Sequence, residues 1–354
     1  MNNPTPLPLL PTHVIGSYAW PGWYHCCQAC ARRGEFGPID LEELQNDAVD
    51  LAIRDQEKAG LDVISDGEMR RAGFFTAAFY GFIPGLEPIP PSRLLGVTSH
   101  DQQHRFRATR PFSVPAGFGT TQEFGYARKR TSRPLMVPLP GPYTLAGRIL
   151  TGEGQPYRSR EEAAWALVPF LQEEIRQLFS AGARYVQIDE PTPAIHKVQD
   201  VDIAKLFNAV VDGVRKPADA EIWCHLCFGN FAGRPYARRD YAPVIDTIAK
   251  FKVEQVHLEF AGVEMNGIGI VASLADVFKR VSIGVVDVKL HQVETPADIA
   301  ARIRLALRHI PADKLALAPD CGFSQTPRAG ARGKAAALVV AAGLVRAEIN
   351  GVAR

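Results

Sequence analysis

Residues 223–230 read Trp-Cys-His-Leu-Cys-Phe-Gly-Asn, a short apolar run that ends in small and polar residues. Alternate side chains of an extended strand lie on the same face, so His225 and Cys227 point one way and Cys224 points the other. An imidazole nitrogen and a thiolate sulfur on one face suit zinc, which usually takes four ligands. The stretch therefore predicts a strand that carries half of a metal site.

Similar short apolar runs recur along the chain, and most of them are separated by segments with helical periodicity. Their approximate positions are residues 14, 62, 135, 185, 222, 256, 282 and 315. The predicted helices include one that starts with a capping box of Ser159 and Glu162 and continues to Gly182, one over residues 241–251, a shorter one near residues 274–280, and one that Thr295 caps before a proline and that continues to Ile310. Strands that alternate with helices in this way are typical of a (β/α)8 barrel rather than of a doubly wound sheet. The first strand is also not followed by the GxGxxG turn of a dinucleotide-binding fold. We therefore predict an α/β protein, with a single (β/α)8 TIM barrel over residues 1–354.

The regular alternation fails between residues 70 and 133. This part of the chain has prolines at positions 84, 88, 90, 91, 111 and 115. It also contains stretches of alternating polarity at residues 105–109 and 122–126, which are consistent with a hairpin. We predict an inserted arm or lid after the second strand, over about residues 74–133.

The composition argues against several classes of function. The chain has 354 residues, a net charge of +2 and 22% charged residues, which gives no strong field for nucleic acid or an anionic membrane. The N-terminus lacks the basic and apolar regions of a signal peptide, and the longest apolar run, residues 335–345, is too short to span a bilayer. Six cysteines are too few and too clustered for a disulfide framework. We expect a cytoplasmic protein that acts on a small molecule.

Further metal-ligating residues stand where other predicted strands end. Glu259 ends the sixth strand and Cys321 ends the eighth, and the strand ends of a barrel meet at one face. The complete candidate set for zinc is His225, Cys227, Glu259 and Cys321. The alternative is a core histidine, two buried thiols and a strand-end salt bridge, but four suitable ligands at predicted strand ends favour the metal site.

The types of ligand predict the chemistry of the metal. Two thiolates and a carboxylate make a bound zinc ion a weak Lewis acid but keep an added thiolate electron-rich. A metal also lowers the pKa of a thiol enough to deprotonate it at neutral pH. We therefore expect activation of a substrate thiol as a nucleophile, rather than activation of water.

A series of short segments, in order along nearly the whole chain, resembles the catalytic domain of cobalamin-independent methionine synthase. The segments are residues 14–17 (VIGS), 66–68 (DGE), 140–144 (PGPYT), 187–191 (QIDEP), 225–227 (HLC), Glu259 and residues 319–322 (PDCG). The resemblance is weakest between residues 73 and 133. It implies a zinc-bearing barrel that transfers a methyl group to the sulfur of homocysteine and produces methionine.

The resemblance also implies the roles of individual residues. His225, Cys227, Glu259 and Cys321 correspond to the zinc ligands. Ile15 and Ser17 correspond to the residues that hold the carboxylate of the amino acid, and Glu68 and Asp189 to those that bind its ammonium group. Two carboxylates facing a cation and a serine turn facing an anion would orient an α-amino acid.

Two departures from the family concern the methyl donor. The family's synthases have a second, N-terminal barrel that helps to hold a folate donor, and this chain is too short to contain it. The family also has a histidine after the aspartate of the seventh strand, the expected proton donor to the departing folate. Here Asp287 is followed by Lys289 at that position and by His291 two residues later, and these three are the catalytic candidates. The donor is therefore either a methylfolate or a methylcobalamin or corrinoid protein, whose cobalt leaving group needs no proton.

Other interpretations remain open at this point. An enzyme like the family's epoxyalkane:coenzyme M transferases would keep the zinc thiolate, but it would need arginines facing a sulfonate rather than two carboxylates facing an amine. A non-catalytic barrel that sequesters zinc or thiols, or that serves as one subunit activated by a partner, is a third interpretation. Cys27 and Cys30, with His25 and Cys26 nearby, would form a second metal or redox site, although a single CxxC more often marks a cluster of thiols.

Overall fold

The computed structural model of the chain describes residues 6–71, 75–91, 103–196, 198, 200–230 and 233–351. Its strands are β1 (Leu86–Ile89), β2 (Arg105–Ala108), β3 (Met136–Pro140), β4 (Tyr185–Asp189), β5 (Glu221–Leu226), β6 (Gln255–Glu259), β7 (Arg280–Val286) and β8 (Leu315–Pro319). Its α-helices are α1 (Gly22–Arg32), α2 (Pro38–Ala59), α3 (Ala77–Tyr80), α4 (Thr120–Ala127), α5 (Pro142–Ala146), α6 (Arg160–Ser180), α7 (Thr192–Ile195), α8 (Ile203–Asp212), α9 (Ile245–Ile248), α10 (Pro296–Ala306) and α11 (Arg328–Ile349). Two further segments form 3-10 helices, Ala261–Val263 and Ile268–Leu274.

The strands β3 to β8 form one parallel sheet, in which each strand pairs with the next strand along the chain. Every residue of these strands is buried. Burial on both faces is characteristic of parallel sheets that are covered by other elements. Because the strands run in the same direction, their carboxyl ends lie along one edge, and the residues at those ends are neighbours in space.

Two short extended segments connect the outer strands of this sheet. The parallel bridges are Thr12 to Leu317, His13 to Val63 and Ile64 to Leu135. They lead from β8 through residues 12–13 and 63–64 to the residue that precedes β3. The predicted α/β class with a parallel sheet is confirmed. The first two predicted strands lie close to these segments, which form single bridges rather than continuous strands.

Local sequence signals explain where two of the long helices begin. The hydroxyl of Ser159 accepts a hydrogen bond from the N–H of Glu162 at 3.1 Å, so the predicted cap of α6 is confirmed. The Glu162 carboxylate does not return to Ser159 but accepts the N–H of Arg158 at 2.6 Å. Helix α10 begins with a proline after Thr295, as predicted, and Thr295 and Asp298 form a capping box.

Two shorter helices differ from the prediction. Helical periodicity over residues 241–251 predicted a longer helix, but only Ile245–Ile248 is α-helical. The helix expected near residues 274–280 is replaced by the 3-10 segment Ile268–Leu274. Short helices depend on tertiary packing more than on local periodicity, which explains both differences. No helix in the described part of the chain combines the length and the apolar character needed to cross a membrane.

The segment predicted as an arm or lid, residues 74–133, contains β1, β2, α3 and α4. Strand β1 pairs antiparallel with β2. Glu174 of α6 accepts hydrogen bonds from the N–H of Phe118 at 2.7 Å and from the N–H and hydroxyl of Thr120 at 2.9 and 2.6 Å. The start of α4 is therefore anchored to α6. Residues 74 and 92–102 lie outside the described residues, and the arm stays a prediction.

Candidate metal centre and amino acid site

Three of the four expected metal ligands lie together at the carboxyl ends of β5 and β8. One ligand atom from each of His225, Cys227 and Cys321 lies within 4.8 Å of the other two. The sulfurs of Cys227 and Cys321 are 3.5 Å apart. Among the residues that the structure describes, this is the one group of histidine, cysteine or acidic side chains with such geometry.

The imidazole of His225 is oriented by a hydrogen bond through one of its two nitrogens. Its Nδ1 lies 2.8 Å from Oδ1 of Asp189, which also accepts a hydrogen bond from the side-chain amide of Gln187 at 2.9 Å. Its Nε2 is buried and has no hydrogen-bond partner among the described residues. Buried polar atoms are almost always paired, and a carboxylate–histidine pair with the second nitrogen left over is the usual arrangement behind a metal ion. The residues present therefore fit zinc.

The ionisation of this group also suits a metal. The hydrogen bond with Cys227 holds the pKa of the Cys321 thiol well below its usual value, so Cys321 is the more readily deprotonated of the two thiols. Burial alone would lower the pKa of His225, but the interactions with Asp189 and Cys321 together outweigh it and raise that pKa to about 10. Histidine and cysteine bind a metal in their deprotonated forms, so a cation at this position would replace a proton.

Glu259, the fourth expected ligand, lies beside the group but is paired with Lys289. Its Oε1 lies 2.6 Å from Nζ of Lys289, and its Oε2 accepts the N–H of Phe228 at 3.2 Å. Glu259 is 1% exposed and Lys289 is 8% exposed. The structure therefore places Glu259 at the candidate centre without joining it to the three-ligand group.

Asp320 ties the end of β6 to the end of β8, a role that was not predicted. Its carboxylate accepts hydrogen bonds from the N–H groups of Phe260, Ala261 and Gly262 at 3.0, 2.8 and 2.6 Å. These groups directly follow Glu259, and Asp320 directly precedes Cys321. The position of an aspartate next to a candidate ligand was the only sequence signal for this role.

The four residues expected to hold the amino acid also converge on this edge of the sheet. A Cβ on Gly16 would lie 2.6 Å from Oε1 of Glu68, so the Glu68 carboxylate lies against the turn that links Ile15 to Ser17. The Gln187 amide that contacts Asp189 also donates to the carbonyl of Ile15 at 2.9 Å. Ser17, the fourth of these residues, lies against Gly322, because a Cβ at Gly322 would lie 2.0 Å from the Ser17 hydroxyl oxygen.

Glu68 has an unusual backbone and an unusual pKa. Its φ is +54°, in the left-handed region that non-glycine residues rarely adopt. Burial raises the pKa of its carboxyl to about 8, although Arg71 opposes the shift from 3.5 Å away, and the charge of Asp189 adds to it. Strained backbone is concentrated at functional sites. A cation between Glu68 and Asp189 would relieve the repulsion of these two carboxylates.

The three candidates for proton transfer occupy different environments. Asp287 accepts the backbone N–H of Lys289 at 2.7 Å through Oδ1, and Lys289 itself faces Glu259. His291 is exposed. Strand β7 ends at Val286, so the continued strand that would bring His291 to the face of Lys289 is not formed.

Glu190 is a second residue whose role was not predicted. It is fully buried, and it accepts the N–H of Tyr143 at 3.0 Å and the hydroxyl of Thr144. A Cβ on Gly141 would lie 2.4 Å from Oε2 of Glu190, so only glycine fits there without rearrangement. Glu190 therefore locks the loop after β3 to the end of β4.

The cysteines of α1 do not form a comparable group. Cys26, Cys27 and Cys30 are all free, and Cys26 is exposed. None of them belongs to a metal-binding group among the described residues. Cys224 is buried in the hydrophobic core, as its position on the opposite face of the strand predicted.

The parallel sheet presents a His–Cys–Cys group and buried carboxylates at the carboxyl ends of its strands. This arrangement is typical of α/β enzymes, which have their active sites at that edge, and here the edge carries a candidate metal centre. The chain belongs to the cobalamin-independent synthase family and corresponds to the catalytic domain of that family. A family model described as "Cobalamin-independent synthase, Catalytic domain" matches residues 10–344.

Individual relatives agree with this assignment. The chain is 31% identical over 345 residues to methionine synthases from Thermococcus kodakarensis and Saccharolobus solfataricus, covering 97% of this chain and 95% and 97% of those proteins. A solved B12-independent methionine synthase from Shewanella sp. W3-18-1, in complex with selenomethionine, has a TM-score of 0.79 and 26% identity over 97% of this chain and 100% of that one. A methyltransferase from Methanosarcina mazei, with a TM-score of 0.59 and 16% identity over 94% of each chain, shares the fold. The predicted family is confirmed.

Proposed function

We propose that this protein transfers a methyl group to the thiol of homocysteine and releases methionine, with zinc bound by His225, Cys227 and Cys321. The relatives named methionine synthase match over 97% of the chain and support this reaction. The observation that carries the proposal is the buried, unpartnered Nε2 of His225 beside two cysteine sulfurs. Glu259, the fourth ligand expected from the sequence, lies next to this group.

Each part of the site has a task in this reaction. Zinc, when bound, supplies the positive charge that keeps a substrate thiol deprotonated at neutral pH. Glu68 and Asp189 would bind the ammonium group of homocysteine. Because Oδ1 of Asp189 already contacts His225, the contact with the ammonium falls to Oδ2. Ile15 and Ser17 would hold the carboxylate, so the sulfur is directed toward the metal.

A methylated corrinoid fits this site better as the methyl donor than a methylfolate does. A departing folate needs a proton, and the two side chains expected to supply it are poorly placed. His291 is exposed on the loop after β7. Burial alone would lower the pKa of Lys289, but the negative charges of Glu259, Asp320 and Cys321 together outweigh it and raise that pKa, so Lys289 gives up its proton less readily than a free lysine. A cobalt leaving group would need neither residue.

The architecture proposed from the sequence extends beyond the parallel sheet itself. We infer that β3 to β8 and the segments at residues 12–13 and 63–64 close into a (β/α)8 barrel, since the three bridges connect both outer strands. The barrel would be a single domain over residues 1–354, with residues 74–133 inserted after its second strand. Six free cysteines are consistent with the reducing conditions of the cytoplasm.

The sulfonate-binding alternative has less support. An epoxyalkane:coenzyme M transferase would need arginines that face the substrate. The arginine beside Glu68 is Arg71, which donates instead to Glu123 at 2.8 Å and to the carbonyl of Pro138 at 2.8 Å. Its charge is therefore already used within the protein.

Metal analysis and thiol binding test the proposal. We expect about one zinc per chain, homocysteine binding that is lost in Cys321→Ala, and both properties retained in the buried control Cys224→Ala. Methionine formation is then assayed with methylcobalamin and methyltetrahydrofolate side by side, and we expect product only with the first. Absence of zinc from the purified protein would contradict the proposed reaction, whereas product with the folate alone would contradict only the assigned donor.

A further inference from the structure

Arg71 is a buried arginine beside the amino acid site, and two carboxylates share its charge. Its Nη2 and Nε lie 2.8 and 3.1 Å from Oε2 of Glu123, and its Nη1 donates to the carbonyl of Pro138 at 2.8 Å. Nη1 also lies 3.5 Å from Oε1 of Glu68, which is longer than an N–H···O hydrogen bond of about 2.7 to 3.2 Å. The hydrogen bonds of the guanidinium therefore go to Glu123 and Pro138 rather than to Glu68.

Glu123 reaches this arginine from α4, in the segment that was predicted to be an insertion. Arg71 and Glu123 are 52 residues apart in the sequence, and their side chains are 2% and 14% exposed. The guanidinium of Arg71 also lies over the ring of Phe79, 5.1 Å from its centre. Charges that are shielded from water in this way interact more strongly than exposed charges do.

Glu68 has a fixed position next to Arg71. The N–H of Arg71 donates to the carbonyl of Glu68 at 2.9 Å, so the two residues belong to one turn. The N–H of Glu68 donates to Oδ1 of Asp66 at 2.8 Å. Among the residues that the structure describes, Arg71 is the one cationic side chain that forms an ion pair with Glu68. A change in the pairing of Arg71 would therefore act directly on Glu68.

The balance of charge decides whether Glu68 can accept a cationic ligand. A guanidinium that donated two hydrogen bonds to Glu68 would form a strong bidentate pair and would neutralise the carboxylate. An ammonium group would then gain little from binding there, and the guanidinium would repel it. Glu123 supplies a second negative charge, so the ionised group of Glu68, Arg71 and Glu123 has one negative charge in excess. That excess remains for a ligand with a positive charge.

We propose that Glu123 occupies the guanidinium of Arg71 and so keeps Glu68 available for the ammonium group of the substrate. Glu123 would then determine specificity for an amino thiol over a thiol that has no amine. This inference rests on the proposed function, because it assigns a role at the same amino acid site. Glu123 is a positioning residue, which acts on the substrate through Arg71 and Glu68.

The variant Glu123→Gln tests this role, because it keeps the shape of the side chain and a hydrogen-bond acceptor but removes the charge. The probes are homocysteine and 4-mercaptobutanoate, which is homocysteine without its amino group. Both are titrated calorimetrically into the zinc-loaded protein at about pH 9, above the pKa of about 8 to which burial raises Glu68, so that this carboxylate is ionised. We expect Glu123→Gln to lower the affinity for homocysteine by at least about tenfold and not to lower the affinity for 4-mercaptobutanoate.

A matched control and a double variant separate this effect from a loss of structure. Glu174 also anchors α4, but it accepts the backbone N–H groups of Phe118 and Thr120. Glu174→Gln should therefore change the affinities for both thiols by the same factor. The double variant Glu123→Gln/Arg71→Met removes the guanidinium together with its partner and restores one negative charge in excess. It should bring the ratio of the two affinities back to within about threefold of the wild-type ratio. Denaturant unfolding verifies that each variant is folded.

Two outcomes would overturn the inference alone. An equal effect of Glu123→Gln on both thiols, including no effect on either, would show that Glu123 does not control selectivity for the amine. A double variant as unselective as Glu123→Gln would show that Glu123 does not act through Arg71. If the wild-type protein bound neither thiol, the proposed function would fail first, and the inference with it.

Discussion

Asp189 is expected to act on both the metal and the substrate, and the variant Asp189→Asn separates these two effects. Its Oδ1 accepts hydrogen bonds from His225 at 2.8 Å and from Gln187 at 2.9 Å, and the first of these holds the ring with Nε2 toward the candidate metal. Asparagine has the same shape but no charge, and its amide oxygen is a weaker acceptor. The ring of His225 would therefore be less firmly oriented and less basic.

The size of the effect follows from the burial of the pair. Asp189 and His225 are each 5% exposed, so water cannot replace the lost interaction. Loss of such an outer partner lowers metal affinity by roughly 10- to 100-fold, which corresponds to about 1.4 to 2.7 kcal/mol. Homocysteine affinity should fall further, because one charged hydrogen bond to its ammonium contributes about 1.5 to 3 kcal/mol.

Two binding measurements distinguish the roles of Asp189. Zinc affinity is measured by chelator competition, and homocysteine affinity by calorimetric titration of the zinc-loaded protein. Glu68→Gln is the matched control, because Glu68 lies on the amino acid side only. It should weaken homocysteine binding and leave zinc affinity unchanged. Equal zinc affinities in Asp189→Asn and the wild type would refute the assigned orientation of His225.

Three further predictions concern pH dependence, packing and backbone hydrogen bonds. Burial raises the pKa of Glu68 to about 8, so calorimetry should show homocysteine affinity rising more steeply around that pH in the wild type than in Glu68→Gln, where the titration of the substrate's own thiol and amine remains. The same protonated carboxyl stabilises the fold below its unfolded pKa, and this contribution is lost as the pH rises through about 8. Urea unfolding should therefore find Glu68→Gln more stable than the wild type at about pH 9 and nearly equal to it at about pH 4. Gly141→Ala should reduce the free energy of unfolding by about 1 to 3 kcal/mol, because its Cβ would lie 2.4 Å from Glu190, whereas Gly343→Ala, with nothing within 4 Å, should not reduce it. Asp320→Ala removes the acceptor of three backbone N–H groups and should cost at least about 3 kcal/mol in urea unfolding, and a cost below about 1 kcal/mol would show that this carboxylate does not tie β6 to β8.

Most of the parallel sheet was predictable because its strands and the helices between them have strong local patterns. Buried apolar runs with polar ends marked β4, β5, β6, β7 and β8, and caps at Ser159 and Thr295 marked two of the long helices. The helix around residues 245–248 was predicted too long, since a short helix is determined by what packs against it. Full strands were predicted near residues 14 and 62, but the structure has only isolated bridges, at residues 12–13 and 63–64.

The candidate site was predictable to the extent that its residues stand at strand ends. That rule, together with the ordered family segments, was enough to select His225, Cys227 and Cys321 before any distance was known, and the comparisons confirm the family. The same rule selected Glu259 but gave no information about its partner. Asp320 and Glu190 were not selected, because a carboxylate that accepts backbone N–H groups has no distinctive spacing.

The sequence by itself determined which elements form and which chemical groups they present, because periodicity, capping and ligand types are properties of neighbouring residues. Tertiary structure alone decided how those groups are paired. Lys289 reaches Glu259 across 30 residues of sequence, and Asp189 reaches His225 across 36. Such contacts depend on the register of adjacent parallel strands and on the loops that follow them. The sequence therefore predicts which residues belong to a metal site, whereas only the fold shows that Glu259 is paired with Lys289 and Asp189 with His225.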